Sequence, residues 1–297
     1  MKKKLVSVIV NCYNGEKYLS QTLKSLLNQK YKNFEVIFMD NCSTDKSASI
    51  FKMIKDRRFK YFKTKKKIKL YDSRNQAIKK TKGNFIAFLD VDDWWDDKFL
   101  ESRKKFFTSS NDYAFSYSNC FHYFENKKKF EIFYKKKLPT GFILGELIDF
   151  YFVKLSSIII KKKLVKNFRF NPSYNIIGDY DFILRIAKIY KGMGFQNKLV
   201  NIRIHKDNFT HNNRRMFYTE FKNWFNHQDF RYGIFREKKI KLLQRLNYLR
   251  LVYLTLYKKN FGLIFEILKY PLFFLKLKLL ILYFLPKFIL RFRQKNL

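Results

Sequence analysis

Leu5-Val6-Ser7-Val8-Ile9-Val10 runs straight into Asn11-Cys12-Tyr13-Asn14, and the same step from a short apolar stretch to a polar one recurs along the first third of the chain. Phe34 to Met39 leads into Asp40 to Asp45, and Phe85 to Leu89 leads into Asp90 to Asp93, with Phe59 to Phe62 as another short apolar run. Between them lie stretches of helical period near Lys17 to Gln29, Lys46 to Lys55 and Ser73 to Lys80. Apolar runs alternating with helices read as βαβ units and a mostly parallel sheet. Ligands of such sheets sit outside the carboxyl ends of the strands. Asn11 to Asn14, Asp40 to Asp45 and Asp90 to Asp93 are therefore expected to line one crevice.

From Asp97 to about Asn213 the pattern is mixed. A helix near Phe99 to Phe107 precedes strands near Tyr113 to Phe124, Lys129 to Tyr134 and Leu155 to Ile160, and a helix near Tyr180 to Tyr190 precedes a strand near Leu199 to His205. This is an α+β half completing the same domain. After Met216 the chain reads as helical and basic, and from Phe261 it becomes very apolar.

Composition bounds the rest. A chain of 297 residues with 47% hydrophobic content can bury a sizeable core, which excludes a disordered or fibrous class. The formal charge of +39, from 63 Lys and Arg against 24 acids, calls for an anionic surface or ligand. Nucleic acid, anionic lipid and nucleotide phosphates all qualify. Cys12, Cys42 and Cys120 are an odd number without metal-ligand spacing, which reads as reduced and cytosolic. The apolar run after the basic start is too short for a signal segment, so no export is expected.

Two groups of residues carry chemistry. In Leu89-Asp90-Val91-Asp92-Asp93-Trp94 a strand delivers three carboxylates in four residues that repel one another unless a cation neutralises them. Hard oxygen ligands suit Mg²⁺ or Mn²⁺, which would bridge a diphosphate leaving group; the bland alternative is that these acids cap the helix near Phe99. A base needs a stacking face and a hydrogen-bond partner in its plane, and a ribose needs a carboxylate. Tyr13, Asn41 and Asp40 offer these at adjacent strand ends, while Ser43 and Thr44 read as plain helix caps.

Taken together, these residues resemble the inverting glycosyltransferases of family 2, which have the GT-A fold. The likeness covers roughly residues 5 to 210 and rests on a combination: Val6 to Val10 with Tyr13-Asn14 and Glu16, Gln29 with Tyr31, Phe34 to Ile37 with Asp40 and Ser43 to Asp45, Arg74-Asn75 ahead of Gly83 to Asp93, and Gly178-Asp179 downstream. It implies an α/β fold with a mostly parallel nucleotide-binding sheet over 1–96, a mixed acceptor half over 97–215 and basic apolar helices over 216–297. Tyr13 would stack on the base, with Asn11 and Asn41 near its edge and Asp40 supporting the nucleoside. Arg74 and Asn75 would lie near the diphosphate, Asp90 would touch the ribose and Asp92 would hold the metal. The commonest pattern has Pro or Thr where this chain has Asn11, and Asp where it has Asn41, so the nucleotide stays open.

Inversion at an anomeric carbon needs one base to deprotonate the acceptor hydroxyl. Asp179, just after Gly178 at a helix start, matches the family's base by position; the alternative is a simple helix cap, with Asp181 as the fallback base. His205 in Arg203-Ile204-His205 resembles the family's Arg-x-His segment, where it would complete the metal site or touch the diphosphate, or else be a solvated strand-end histidine. The implied partners are a nucleotide-diphosphate sugar donor and a saccharide or lipid-linked acceptor, as in cell-envelope polysaccharide synthesis.

The tail from Phe261 to Leu290 is apolar but punctuated by lysines, and no stretch reaches the roughly 20 residues a spanning helix needs. It reads as an interfacial segment beside anionic lipid, peripheral on the inner face of the membrane; packing onto protein is the alternative. A basic nucleic-acid-binding protein is the competing class. It is disfavoured because Asp90 to Asp93 would repel a polyanion unless metals intervened and no recognition motif is present. A catalytically inactive module on the same fold is the third reading.

Overall fold

In the computed structural model the described residues are 4–109, 113–165, 167–231, 233–258 and 261–285. The chain divides into two compact units, Met1–Ile204 and His205–Leu297. Strands of the first unit are β1 (Val6–Cys12), β2 (Phe34–Asp40), β3 (Phe59–Lys63), β4 (Phe85–Phe88), β5 (Trp94–Trp95), β6 (Tyr113–Ser118), β7 (Phe121–Phe124), β8 (Lys129–Ile132), β9 (Ile159–Lys161), β10 (Lys191–Phe195) and β11 (Val200–Ile204).

Seven of them form one sheet in the order β10-β6-β9-β4-β1-β2-β3. β1, β2 and β4 are buried along their whole length, which is why they read as continuous apolar runs rather than alternating ones. β3 closes the edge and is only half-buried. The helix Glu16–Leu27 covers one face by burying Leu19, Leu23 and Leu26, a spacing of one helical stripe.

β1 pairs in parallel with β2 on one side and with β4 on the other, while β2 pairs in parallel with β3. The chain thus winds outward from β1 to β3 and then returns to the far side of β1 for β4. This reversal of direction opens a crevice at the carboxyl ends of β1 and β4. Asn11 and Asp90 lie at those ends, and Cys12 stands level with Asp40 across to β2.

The second half departs from the expected strands in three places. Tyr113 to Phe124 is broken into β6 and β7, which belong to different sheets. Asn119 makes the break: its amide donates to Tyr134 O at 2.6 Å and its carbonyl accepts from Tyr134 N at 3.2 Å, so the side chain takes the place of a strand partner. Leu155 to Ser157 is a 3₁₀ turn, and the strand proper is β9, antiparallel to both β4 and β6. β10 was not expected, because its Gly192 and Gly194 break any apolar pattern. A Cβ at Gly192 would lie 2.6 Å from the Phe115 ring, and one at Gly194 2.4 Å from Pro139 O, so these glycines permit close contact.

A four-stranded sheet, β5-β11-β7-β8, completes this unit. β5 begins immediately after Asp93 and pairs with β11, which ties the acidic turn to the second sheet. The second unit consists of helices, including Arg214–Asn226, Lys239–Tyr257, Gly262–Leu268 and Phe273–Phe284. Leu251, Val252, Leu263, Ile267, Tyr270, Leu279 and Tyr283 form its core. Among the described residues no helix is long and apolar enough to cross a membrane; Pro286, Lys287 and Leu290 of the apolar tail lie outside them.

Candidate active site

The three acids after β4 take three different environments. Asp93 points into the protein: its carboxylate accepts from Ser156 Oγ at 2.6 Å and from Arg203 N at 3.0 Å. Burial pushes this carboxyl well above the usual aspartate range, and the charges of Asp92 and Asp90 add to the effect. Asp90 receives Nη2 of the buried Arg74 at 2.5 Å while keeping 41% of its side chain exposed. Asp92 lies between them in the turn, half-buried, and its backbone carbonyl accepts from Arg203 Nε at 3.0 Å.

Arg203 therefore grips the turn from behind with its backbone and its side chain. Its guanidinium also donates to Gln21 and lies 4.5 Å from the Tyr18 ring centroid and 4.7 Å from that of Trp94. From sequence alone it was only a flank of the Arg-x-His segment. Ser156, which accepts from Asp90 N at 3.2 Å as well as donating to Asp93, carried no signal at all.

At the carboxyl ends of β1 and β2 the expected nucleoside residues separate into exposed and committed ones. Tyr13 is 42% exposed, with Lys67 Nζ 3.7 Å above its ring centroid. Asn11 is buried; its amide donates to Ser73 Oγ at 2.7 Å, and its Oδ1 accepts no hydrogen bond. Asp40 is fully buried and accepts from Ser43 N at 2.8 Å and from Tyr61 OH at 2.5 Å. Asn41 clasps a backbone: its Nδ2 donates to Ile68 O at 2.7 Å and its Oδ1 accepts from Ile68 N at 3.0 Å. Asp40 and Asn41 thus build the floor and the loop Thr64–Ile68, while Tyr13 faces out. Ser43 and Thr44 are not the expected helix caps, since the helix Ser47–Lys52 has Lys46 at its N-cap; Ser43 Oγ instead accepts from Asn14 N, and Thr44 N donates to Asn14 Oδ1.

Arg74 and Asn75, adjacent in sequence, face different partners because they sit on the helix Leu70–Lys80. Arg74 reaches Asp90, whereas Asn75 donates to Phe170 O at 2.8 Å and accepts from Phe170 N at 3.1 Å. Asn75 therefore anchors the segment leading to Gly178-Asp179.

Asp179 opens the helix Gly178–Ala187. Tyr71 spans the gap between the two helices: its hydroxyl donates to Ile176 O at 2.9 Å and lies 3.4 Å from Asp179 Oδ1. Burial raises the Asp179 carboxyl above the ordinary range and negative Asp90 adds to it, against the opposing pulls of Arg74 and the Tyr180 N–H. Asp179, Asp90 and Arg74 are thus in one electrostatic neighbourhood. Asp181 lies apart from it in an i, i+4 pair with Arg185 at 2.9 Å. A Cβ on Gly178 would lie 2.4 Å from the Tyr71 ring, which is itself 2% exposed and cannot yield. Gly178→Ala is expected to cost about 1–3 kcal/mol through overpacking; an unchanged urea midpoint would contradict this contact.

His205 begins the second unit, where its Nδ1 accepts from Asp207 N at 3.2 Å and its backbone N donates to Asn208 Oδ1 at 2.6 Å. Among the described residues no three His, Cys, Asp or Glu gather around one point. A hard divalent cation that keeps waters and takes phosphate oxygens from a substrate needs only one or two protein carboxylates. Asp92, with Asp90 in the same turn, fits that requirement.

Comparison with known proteins agrees with this fold. The family model described as glycosyl transferase family 2 matches residues 7–167. An uncharacterized glycosyltransferase of Methanocaldococcus jannaschii is 30% identical over 77% of this chain and 83% of its own length. WfaP of Escherichia coli, a UDP-Glc:α-D-GlcNAc-diphosphoundecaprenol β-1,3-glucosyltransferase, is 32% identical over 65% of this chain and 73% of its own. Among solved structures, S. aureus TarS superposes with a TM-score of 0.61 at 18% identity, covering 86% of this chain and 76% of that one. The mannosyltransferase PcManGT of Pyrobaculum calidifontis, solved with GDP-Man and Mn²⁺, gives 0.60 at 13% identity, covering 83% of this chain and 71% of that one. These two likenesses carry the GT-A-like fold.

Proposed function

This chain belongs to glycosyl transferase family 2, and from that premise we propose that it moves a sugar, with inversion, from a nucleotide-diphosphate sugar to a saccharide or lipid-linked acceptor in cell-envelope polysaccharide synthesis. The observation that carries the reading is the acidic turn after β4, where Asp90 pairs with the buried Arg74 and both act on the charge of Asp179, in a sheet whose β1 end presents an exposed Tyr13. Acids at that point would repel a polyanion unless metals intervened, which disfavours a nucleic-acid-binding protein.

In this reading Tyr13 stacks on the base, and Asp40 and Asn41 shape the nucleoside pocket from below. Asp90, held by Arg74, takes a ribose hydroxyl, and Arg74 places positive charge beside the diphosphate. Asp92 holds Mg²⁺ or Mn²⁺, whose chemistry when bound is to neutralise charge developing on the leaving diphosphate. Asp179 accepts the proton of the acceptor hydroxyl as that oxygen attacks the anomeric carbon, and burial, which raises its affinity for a proton above that of a solvated aspartate, suits that role. Support comes from WfaP, whose acceptor is a polyprenyl diphosphate sugar, and from the nucleotide sugars held by TarS and PcManGT. Screening UDP- and GDP-sugars for metal-stimulated donor hydrolysis tests it. Absence of turnover with every donor, together with nucleotide binding, would leave an inactive module instead.

We also place the enzyme at an anionic membrane surface. Each tail helix carries two apolar faces: Leu263 and Ile267, or Leu279 and Tyr283, point into the core of the second unit, while Phe261 and Phe265, or Phe274, Ile281 and Phe284, are exposed. Phe274 is 83% exposed, and Lys269 and Lys278 lie exposed among these residues. An exposed apolar face flanked by Lys269 and Lys278 matches the interior and headgroups of an anionic leaflet. Deleting the tail would remove part of the core, so the better test is Phe265→Ser, Phe274→Ser and Phe284→Ser together. Flotation with anionic liposomes is expected to fall roughly tenfold or more while the melting temperature holds, since each buried ring is worth about 1.5–3 kcal/mol. Unchanged flotation would leave the face to protein packing, and resistance to alkaline carbonate would mean deeper insertion.

A further inference from the structure

Building on the donor site proposed above, we infer that Lys67 reads the edge of the nucleotide base and favours bases that present a carbonyl oxygen. Asn41, the residue expected near that edge, is committed: its carbonyl and one amide hydrogen are spent on the two backbone groups of Ile68. That clasp has a consequence for the neighbouring residue. Together with Thr64 N donating to Asp40 O at 2.9 Å and Thr64 Oγ1 donating to Asn41 Oδ1 at 3.1 Å, it pins both ends of the loop Thr64–Ile68 to the floor of the nucleoside site. Lys67 is carried by this loop whatever rotamer its side chain adopts, and its ammonium stands 3.7 Å over the centroid of Tyr13.

The ammonium occupies the ring face on which a base would stack. An exposed cation–π contact is weaker than the stacking of a base on an aromatic ring, so an arriving base displaces it. The pinned loop keeps the displaced ammonium beside the base rather than releasing it to solvent. A lysine ammonium has three donors and no acceptor. It can therefore bond a carbonyl oxygen of uracil or guanine, whereas the amino group at the equivalent edge of adenine offers it another donor. The charge is the discriminating feature, since a side chain of the same length without it would fill the same space and select nothing.

Calorimetric titration of UDP, GDP and ADP into the full chain and into Lys67→Met tests this. The full chain is expected to bind UDP or GDP at least about tenfold more tightly than ADP, a difference of roughly 1.4 kcal/mol. In Lys67→Met that preference should shrink to about threefold or less, with ADP binding unchanged or tighter because its competitor for the Tyr13 face is gone. A preference retained in full by Lys67→Met, or UDP, GDP and ADP affinities all falling together, would overturn the role of Lys67. If the full chain bound none of the three, the donor-site reading itself would fail, whereas binding that is equally unselective in the full chain and in Lys67→Met, and that Tyr13→Ala abolishes, would keep that reading and overturn the role of Lys67 alone.

Discussion

Asp179→Asn is expected to lower turnover by roughly 100-fold or more while donor affinity stays within about twofold. The asparagine preserves the shape that packs beside Tyr71 and can still accept from the Tyr180 N–H, so the start of the helix Gly178–Ala187 should survive. What it cannot do is take a proton. A loss confined to the chemical step therefore separates a base from a helix cap, because loss of a cap would lower the melting temperature. Donor affinity falling in parallel with rate would move Asp179 into the donor site.

The pH profile gives an independent reading of the same residue. A base must be ionised to act, so kcat/KM declines as pH falls through its pKa. Burial first, and then the charge of Asp90, raise that pKa above the ordinary aspartate value of about 3.9. The acid limb of the wild-type profile is thus expected at higher pH than a solvated aspartate would give, and Asp179→Asn should abolish it. Tyr71→Phe tests the surroundings: with the hydroxyl removed, Asp179 loses a polar neighbour and the limb should move further upward.

The parallel core was legible because its strands are buried on both faces and so announce themselves as unbroken apolar runs, with polar residues where each strand stops. The reversal between β3 and β4 that makes the crevice follows from the same pattern once the strands are ordered. Beyond Asp97 legibility drops for a physical reason. Asn119 and the glycines of β10 work through side-chain-to-backbone bonds and close approaches, and neither leaves a periodic trace. The site divides the same way. Acids and aromatics at strand ends could be named in advance, yet the residues that hold them in place could not, since Ser156, Tyr71 and Arg203 come from segments far along the chain. Similarity also could not say that Asn41 and Asn75 spend their amides on Ile68 and Phe170. An amide that mimics a peptide group looks identical in sequence to one that awaits a ligand.

Asp92→Asn is the other change expected to silence the protein. Asp93 is turned inward by Ser156 and Arg203, and Asp90 is compensated by Arg74. Asp92 lies between them, half-buried, with its backbone carbonyl fixed by Arg203. Replacing it by the isosteric amide should leave the turn intact and weaken the hold on a divalent cation. Since such a cation is worth several kcal/mol at a departing diphosphate, turnover should drop by roughly 100-fold or more. Two readouts besides activity follow. Mn²⁺ should raise the melting temperature of the wild type in the presence of a nucleoside diphosphate and fail to do so for Asp92→Asn, and without metal the two proteins should melt together. Asp93→Asn makes the contrast: its amide keeps one acceptor oxygen but sets an N–H donor where the second carboxylate oxygen accepted, so the loss of one buried hydrogen bond should lower the melting temperature with or without metal. Near-normal activity of the chelator-treated wild type would show that the acids after β4 serve the fold and the ribose alone, with the leaving diphosphate stabilised by Arg74.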